Sequence, residues 1–487
     1  MATFNFREHT MTMTHCNFYI DGAWVEPAGA HTVHPVVSPG DESVVGEVMM
    51  GSAEDVNRAV AAARKAFDSF SQTSLEHRTA LLQKLLAAFE RRYTETAQAL
   101  STEMGAPWDW AYDAQAECGT GHIKATLEAA KDYPWVSRSG PNGDLVCEAI
   151  GVCVLITPWN WPLNQIVSKL APALLAGCTV VLKPSEYAPL SAKLVAEFVH
   201  EAGYPPGVFN MIYGDGPVVG PALSSHPEVD LVSFTGSTAA GISVAKNAAD
   251  TVKRVVQELG GKSPNIIFAD SKVDKAVRWS VNKCMSNTGQ SCNAPTRLLV
   301  ERSVYAQAVE YAAQAGAAVP VIHPADKGNG IGPLASKRQF DTVQRYIKIG
   351  IDEGARVLCG GLGRPEGFEH GYYARPTVFA DVHNKMRIAQ EEIFGPVLVM
   401  IPFDTEEDAI AIANDTPYGL AAYIQCADVA RAKRVARRIK AGTVSINGTG
   451  QDYASPFGGF KQSGNGREWG RFGLQDYLEY KVINSAT

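Results

Sequence analysis

Three short segments carry residue types able to do covalent chemistry on a small molecule. Residues 287–295 read NTGQSCNAP, with Cys292 among Gly, Ser and Asn. A loop cysteine flanked by small polar residues is accessible and close to backbone N–H groups, and both features suit a nucleophilic thiolate. Most cysteines are small buried hydrophobes instead, and the surrounding motif is what tips the reading. Residues 258–264 read ELGGKSP. Glu258 precedes two glycines, where backbone can approach a ligand closely, so Glu258 is a candidate general base. In isolation a solvated or helix-capping glutamate is the commoner reading. Residues 156–163 read ITPWNWPL. Pro158 and Pro162 restrict the backbone around Asn160, whose amide could donate to a developing oxyanion. A turn asparagine among packing tryptophans fits the same letters.

A fourth segment could hold a phosphate. Residues 234–241 read FTGSTAAG. A strand-like run ends at Gly236, and Ser237 is placed to cap a following helix whose N-terminus would attract an anion. The spacing is not GxGxxG, and the lysine of a P-loop is missing. Residues 214–220, GDGPVVG, read as a tight turn beside the site.

Loops of this kind need strands that end near one another. Apolar runs at 151–156, 179–182, 208–212 and 231–234 read as buried strands, with helical periodicity between them at 188–202. After about residue 260 the pattern resumes at 265–268, 296–300, 355–358 and 397–401. Alternation of this sort predicts parallel sheets with helices on both faces. Upstream, 55–67 and 75–104 read as helices, the second closed by Gly105. Residues 139–148, SGPNGDLVCE, look like a hairpin, and 480–487 like a short terminal strand. Exposed strands invite pairing with another chain, so both are expected to serve assembly.

The 487 residues suggest about three folded units at roughly 150 residues each. Hydrophobic residues make up 46% and charged residues 20%, ordinary globular values that exclude a disordered chain. The net charge of −7 makes nucleic acid an unexpected partner. Nine scattered cysteines without a CxxC argue against a disulfide framework or a bound metal and fit a reducing compartment. The first sixteen residues show no apolar h-region, so no secretory signal is expected, and no run of 18 apolar residues suggests a membrane span. A cytoplasmic protein is expected.

Taken together, PWNWP, KPSE, FTGS, ELGGK, GQSC, EEIFGPV, NDTPYGL and PFGGFKQSGNGRE, in this order, mark a family. The chain resembles the NAD(P)-dependent aldehyde dehydrogenase superfamily of the hydrolytic, non-acylating type, from about Phe18 to Val482. Cys292 follows Glu258 by 34 residues, the family's usual spacing. The resemblance implies two open α/β domains plus a β-hairpin oligomerisation element. The Rossmann-like cofactor domain would comprise 1–131 and 151–259, the catalytic domain 260–462, and the oligomerisation element with its C-terminal arm 132–150 and 463–487. A homodimer or homotetramer is implied.

The resemblance also implies roles. Cys292 would attack the aldehyde, Asn160 and the Cys292 N–H would hold the oxyanion, and Glu258 would activate the hydrolytic water. Lys169 and Glu468 match positions implicated in relaying protons. The adenine end of NAD would rest on Gly236 and Ser237, with Phe234 of the same motif and Gly216 close by. Lys183 and Glu186 would bind the adenosine ribose. A carboxylate there accepts from the ribose hydroxyls and repels a 2′-phosphate, which favours NAD over NADP. Glu392 would bind the nicotinamide ribose with Phe394 beside it, and Ile156, Trp159 and Leu259 would line the cleft.

The substrate tunnel would be lined by Trp161, Gln165, Asn293, Asp452 and Phe457, with Trp110, Tyr112, Asn164, Ser168, Ser291 and Tyr453 around them. This mixed lining suggests a functionalised or aromatic aldehyde. No arginine falls at these positions, so no carboxylate clamp is evident, and Asp452 would disfavour an anionic tail if it faces the tunnel. Two other readings remain. A CoA-acylating dehydrogenase is disfavoured by the presence of Glu258. A non-catalytic binding or structural protein on the same fold is disfavoured because Cys292, Glu258 and Asn160 are all present.

Overall fold

The computed structural model describes residues 13–29 and 31–485. The segment read for a secretory signal falls largely in residues 1–12, outside the described residues, as do the last two residues of the tail.

Val152–Ile156, Thr179–Lys183 and Leu231–Thr235 are buried throughout. Their Val, Leu and Ile side chains suit a sheet covered on both faces. With Phe209–Met211 and Arg254–Glu258 they form five parallel strands. Numbered along the chain, their spatial order is 5-4-1-2-3, so the winding reverses between Val152–Ile156 and Leu231–Thr235. Ligands bind beyond the carboxyl ends of strands at such a reversal. Antiparallel strands close both edges of this sheet. Phe18–Ile20 and Ala23–Val25 lie on one side, and Gly464–Asn465 lies against Arg254–Glu258 on the other.

A second, seven-stranded sheet has Arg297–Glu301 as its central strand and Pro264–Ile267 beside it, followed by Ala421–Gln425. Val397–Phe403, Thr377–Ala380 and Thr443–Ile446 continue it in parallel, and only Arg356–Cys359 is antiparallel. The parallel sheets expected from the sequence are therefore present, with antiparallel margins.

Two expectations need correction. The periodic stretch 75–104 is two helices, Leu75–Arg91 and Tyr93–Met104, because Arg92 leaves the helical region at φ −109° and ψ 28°. Arg92 earns that break through its guanidinium, which pairs with Glu95, Glu197 and Glu201. Gly105 ends the second helix at φ 69°, as expected. Secondly, the hairpin and the terminal strand are not left free. Leu478–Asn484 pairs with Gly143–Ala149 residue by residue, from Leu478 opposite Ala149 to Asn484 opposite Gly143, and Val136–Arg138 forms the third strand. The outer edges of this small sheet still expose Val136, Val482 and Ile483.

Candidate active site

The turn after Ile156 brings Asn160 to the front edge of the first sheet. Pro162 opens the helix Pro162–Ala176, at the first turn where its missing N–H costs nothing. Asn160 is buried, and its Nδ2 donates to the Gln290 carbonyl at 3.0 Å. The Asn160 carbonyl in turn accepts from Asn287 Nδ2 at 2.9 Å. This Asn287 was not foreseen. It adopts φ 53°, followed by Thr288 at 55° and Gly289 at 70°. Such a run of left-handed residues costs about 1–3 kcal/mol per non-glycine position. Asn287 offsets it by accepting from Gln115 Nε2 at 2.9 Å and Trp110 Nε1 at 3.3 Å. The turn aims Cys292 at the end of the first sheet.

Cys292 is half-buried. Burial pushes its thiol well above the ordinary range, and the nearby Glu392 and Glu258 carboxyls add to this, opposed by the N–H groups of Asn293 and Cys292. The direction of this shift favours the thiol over the thiolate. Close approach here depends on the two glycines of ELGGK. A Cβ on Gly261 would come within 2.3 Å of the Cys292 carbonyl, and one on Gly260 within 2.3 Å of Glu392 Oε2.

Glu258 ends the strand Arg254–Glu258. Its carboxyl is buried, and neither oxygen has a hydrogen-bond partner among the described residues. Burial raises its pKa well above the carboxylate range. Glu468 raises it further, while Lys169 and Arg467 pull it down. Lys169 is fully buried and donates to Thr235 Oγ1 at 2.7 Å and to the Glu468 carboxylate. Glu468 also accepts from Ser168 Oγ at 3.3 Å. Lys169 and Glu468 therefore form one buried ion pair whose field reaches Glu258.

Two cavities meet at Cys292, which lies on the wall of both. One, of about 300 Å³, is walled by Trp159, Asn160, Gly236, Ser237, Leu259, Glu392 and Phe394. Ser237 caps the helix Thr238–Ala248 by accepting from Ala240 N at 3.3 Å. Trp159 and Phe394 meet edge to face at 5.6 Å. Glu392 accepts from the Gly261 N–H at 2.9 Å, and burial pushes its pKa up to about 7. Five residues expected here are not on this wall. Ile156 and Phe234 are buried opposite each other in adjacent strands. Lys183 lies next to Ile156 in register and pairs with Glu186 at 3.5 Å. Gly216 is in an exposed turn. Tyr187, Arg338 and Gln339 complete the wall and were missed. Gln339 Nε2 donates to the Ile393 and Phe394 carbonyls, which holds the Glu392 loop in place.

The other cavity, of about 420 Å³, contains Trp161, Gln165, Asn293 and Phe457 as expected, with Trp110, Asn164, Ser291 and Tyr453. Trp161 Nε1 donates to Ser291 Oγ at 2.9 Å, and Phe457 stacks on Trp469 at 4.6 Å. Asp452 is a correction. It is exposed and absent from the wall, because its Oδ1 accepts from the Ala454 and Ser455 N–H groups at 2.7 and 3.1 Å. Its carboxylate closes its own turn. Tyr112 and Ser168 also lie off the wall. The sequence missed Trp279, Lys283 and Ser286, which fall at i, i+4 and i+7 at the end of the helix Val273–Met285 and the turn after it. That spacing was visible beforehand. No group of three or more potential metal ligands occurs among the described residues. No described helix is long and apolar enough to cross a membrane.

Comparison with known proteins agrees with this geometry. A family model described as "Aldehyde dehydrogenase family" matches residues 24–483. The chain is 51% identical to a Pseudomonas protein named 3-succinoylsemialdehyde-pyridine dehydrogenase, over 96% of this chain and 98% of that protein. An aldehyde dehydrogenase from Bartonella henselae superposes with a TM-score of 0.95 at 47% identity, covering 97% of this chain and 100% of its own. Aldehyde dehydrogenase C from Pseudomonas syringae, solved as a cysteine-to-alanine variant with NAD+ and octanal, gives 0.95 at 50% identity, covering 96% of each chain. The chain belongs to the aldehyde dehydrogenase family, oxidoreductases that act on the aldehyde group.

Proposed function

We propose that the protein oxidises an aldehyde to its carboxylic acid with NAD, through a covalent adduct on Cys292. The observation that carries this reading is the position of Cys292 on the wall shared by the two cavities, so one sulfur can meet both an aldehyde and a dinucleotide. The smaller cavity fits a dinucleotide. It has a capped helix N-terminus, an aromatic pair, and a buried carboxyl for which Gly260 makes room. When bound there, NAD supplies the hydride acceptor.

The residues then divide the work. Cys292 gives up its proton to solvent water as sulfur attacks the carbonyl carbon, whose π electrons move to oxygen to give a thiohemiacetal oxyanion. The second N–H of the Asn160 amide, whose first is held by Gln290, and the Cys292 N–H are placed to donate to the oxyanion. Loss of hydride from that carbon leaves a thioester. Glu258, free of hydrogen-bond partners, takes a proton from the attacking water. The carboxylic acid and the free thiol result. Lys169 and Glu468 bias the proton affinity of Glu258.

Glu186 beside Lys183 supports NAD over NADP. The aromatic wall of the larger cavity supports an aromatic or functionalised aldehyde, in keeping with the pyridine-bearing semialdehyde in the name of the Pseudomonas relative. We read residues 1–131 with 151–259 as the cofactor domain, 260–462 as the catalytic domain, and 132–150 with 463–487 as the assembly element. The exposed edges of the three-stranded sheet support a homodimer or homotetramer. The nine free cysteines suit the cytoplasm. The test is NADH formation by the purified protein on a panel of aldehydes, with and without CoA. CoA-independent turnover that vanishes in Cys292→Ala is expected. No turnover, or turnover that requires CoA, would overturn the reading.

A further inference from the structure

The wall of the larger cavity carries one acid and one base among the described residues, and the two are in opposite states. Glu117 is engaged, because its carboxylate accepts from the Tyr453 hydroxyl. Lys283 makes no ion pair or hydrogen bond with any described residue. It stands on the same helical face as Trp279, in the last turn of the helix Val273–Met285. Lys283, Thr449 and Gly450 are exposed members of this wall, whereas Gln165, Ala294 and Phe457, on the wall with Cys292, are buried. Lys283 therefore marks the open end of the cavity.

Between the two ends the wall is aromatic. Trp110 and Trp161 meet at 5.7 Å, and Trp279 packs on Tyr423 at 5.7 Å. An ammonium without a partner, beside an apolar passage that weakens water's screening, attracts an anion. Asp452 is turned outward, and Glu117, which keeps its charge while it accepts from Tyr453, is the one acid on the wall among the described residues that opposes that attraction.

Resting on the dehydrogenase reading above, we infer that the preferred substrates are aldehydes with a flat apolar body and a carboxylate at the far end, and that Lys283 is the specificity residue that pairs with that carboxylate. This reverses the expectation drawn from the missing arginine. Lysine supplies a point charge on a flexible stem, which accommodates tails of differing length where an arginine fork would demand one geometry.

The test is steady-state kinetics at saturating NAD with benzaldehyde and 4-carboxybenzaldehyde, and with hexanal and 6-oxohexanoate, on the wild type, Lys283→Met and Lys283→Arg. The wild type is expected to favour each carboxylated aldehyde over its neutral parent. Lys283→Met should raise KM for the carboxylated member about tenfold, the scale of a lost charge pair at a partly open site, and leave the neutral parents within about twofold. Lys283→Arg should retain the preference. Equal losses on both members of a pair, or none on either, would overturn the inference. Should no aldehyde be oxidised, the dehydrogenase reading fails, but the inference stays testable by tryptophan-fluorescence titration with 4-carboxybenzaldehyde and benzaldehyde. Tighter, salt-sensitive binding of the anion that disappears in Lys283→Met supports it, and equal binding of the two overturns it.

Discussion

The two cavities that share Cys292 are built differently. The smaller is assembled from contiguous strand-to-loop turns. Pro158–Asn160, Thr235–Ser237 and Leu259–Gly260 follow three neighbouring strands of one parallel sheet. Its geometry is set by backbone, by glycines that allow close approach, and by buried carboxyls. The larger draws on helices, loops and the strands Ala421–Gln425 and Thr443–Ile446, around residues 110–118, 161–165, 279–294, 421–423, 443–457 and 469. Its wall is made of side chains, above all aromatic ones. A backbone-built site leaves little freedom and serves a shared ligand. A side-chain-built site changes with single substitutions and so can choose among aldehydes.

Several experiments break or sharpen that contrast. The largest effect is expected at the shared wall. Cys292→Ala should lower turnover by about 10⁴-fold or more while NAD binds as before, which separates loss of the nucleophile from loss of the cavity. Titration of the variant with NAD checks this, and lost binding would show that the thiol shapes the smaller cavity.

Glu258→Gln should lower steady-state turnover by about 10²–10⁴-fold while a first burst of NADH persists. The pH dependence follows from the direction of the shift. The raised pKa moves the ionisation of Glu258 to higher pH, and the base is the ionised form. Steady-state turnover in the wild type should therefore climb on the alkaline side, and the variant should lose the part due to Glu258. The burst should still quicken with pH in both proteins, because the Cys292 thiol is raised as well. Stopped-flow measurements across pH separate the two phases.

On the backbone-built side, Gly261→Ala should cost about a hundredfold, the scale of an ångström of misplacement at the reacting atoms. The loss should be the same for every aldehyde. Glu186→Gln should narrow the ratio of NAD to NADP efficiency by about tenfold without reordering the aldehydes. Comparing kcat/KM with each dinucleotide tests it. The smallest effect is expected on the other side. Asp452→Asn should leave relative efficiencies within about twofold, as for a surface position, because its carboxylate closes a turn. A reordered panel would return Asp452 to the tunnel.

The same contrast explains what could be read beforehand. Strand ends and glycine turns leave local signatures, so Gly236 and Ser237 were legible as a turn able to hold a phosphate, whereas Leu259 and Glu392 entered only through the family resemblance. Cys292, Glu258 and Asn160 were legible for the same reason. The helix break at Arg92 was not, because two of the three glutamates that pair with its side chain, Glu197 and Glu201, lie far along the chain. Asn287 was hidden because its role is to satisfy groups on Trp110, Gln115, Asn160 and Gln290, far apart in the chain. Arg338 and Gln339 reach the smaller cavity from the helix Lys337–Asp352, where no local spacing announces them, and Tyr187 lies in the turn after Thr179–Lys183, directly behind KPSE.

By itself the sequence determined the alternation of strands and helices and the family, and singled out Cys292, Glu258 and Asn160 as candidates, because each is encoded in short runs of residue type. The tertiary structure alone decided the protonation and the company of those groups. Burial shifts Cys292 toward its thiol form and leaves the Glu258 carboxyl without a hydrogen-bond partner among the described residues. Folding turned Asp452 away from the tunnel and brought Lys283 to its mouth. Desolvation, and the meeting of charges from distant parts of the chain, are properties of the packed volume and have no counterpart in residue order.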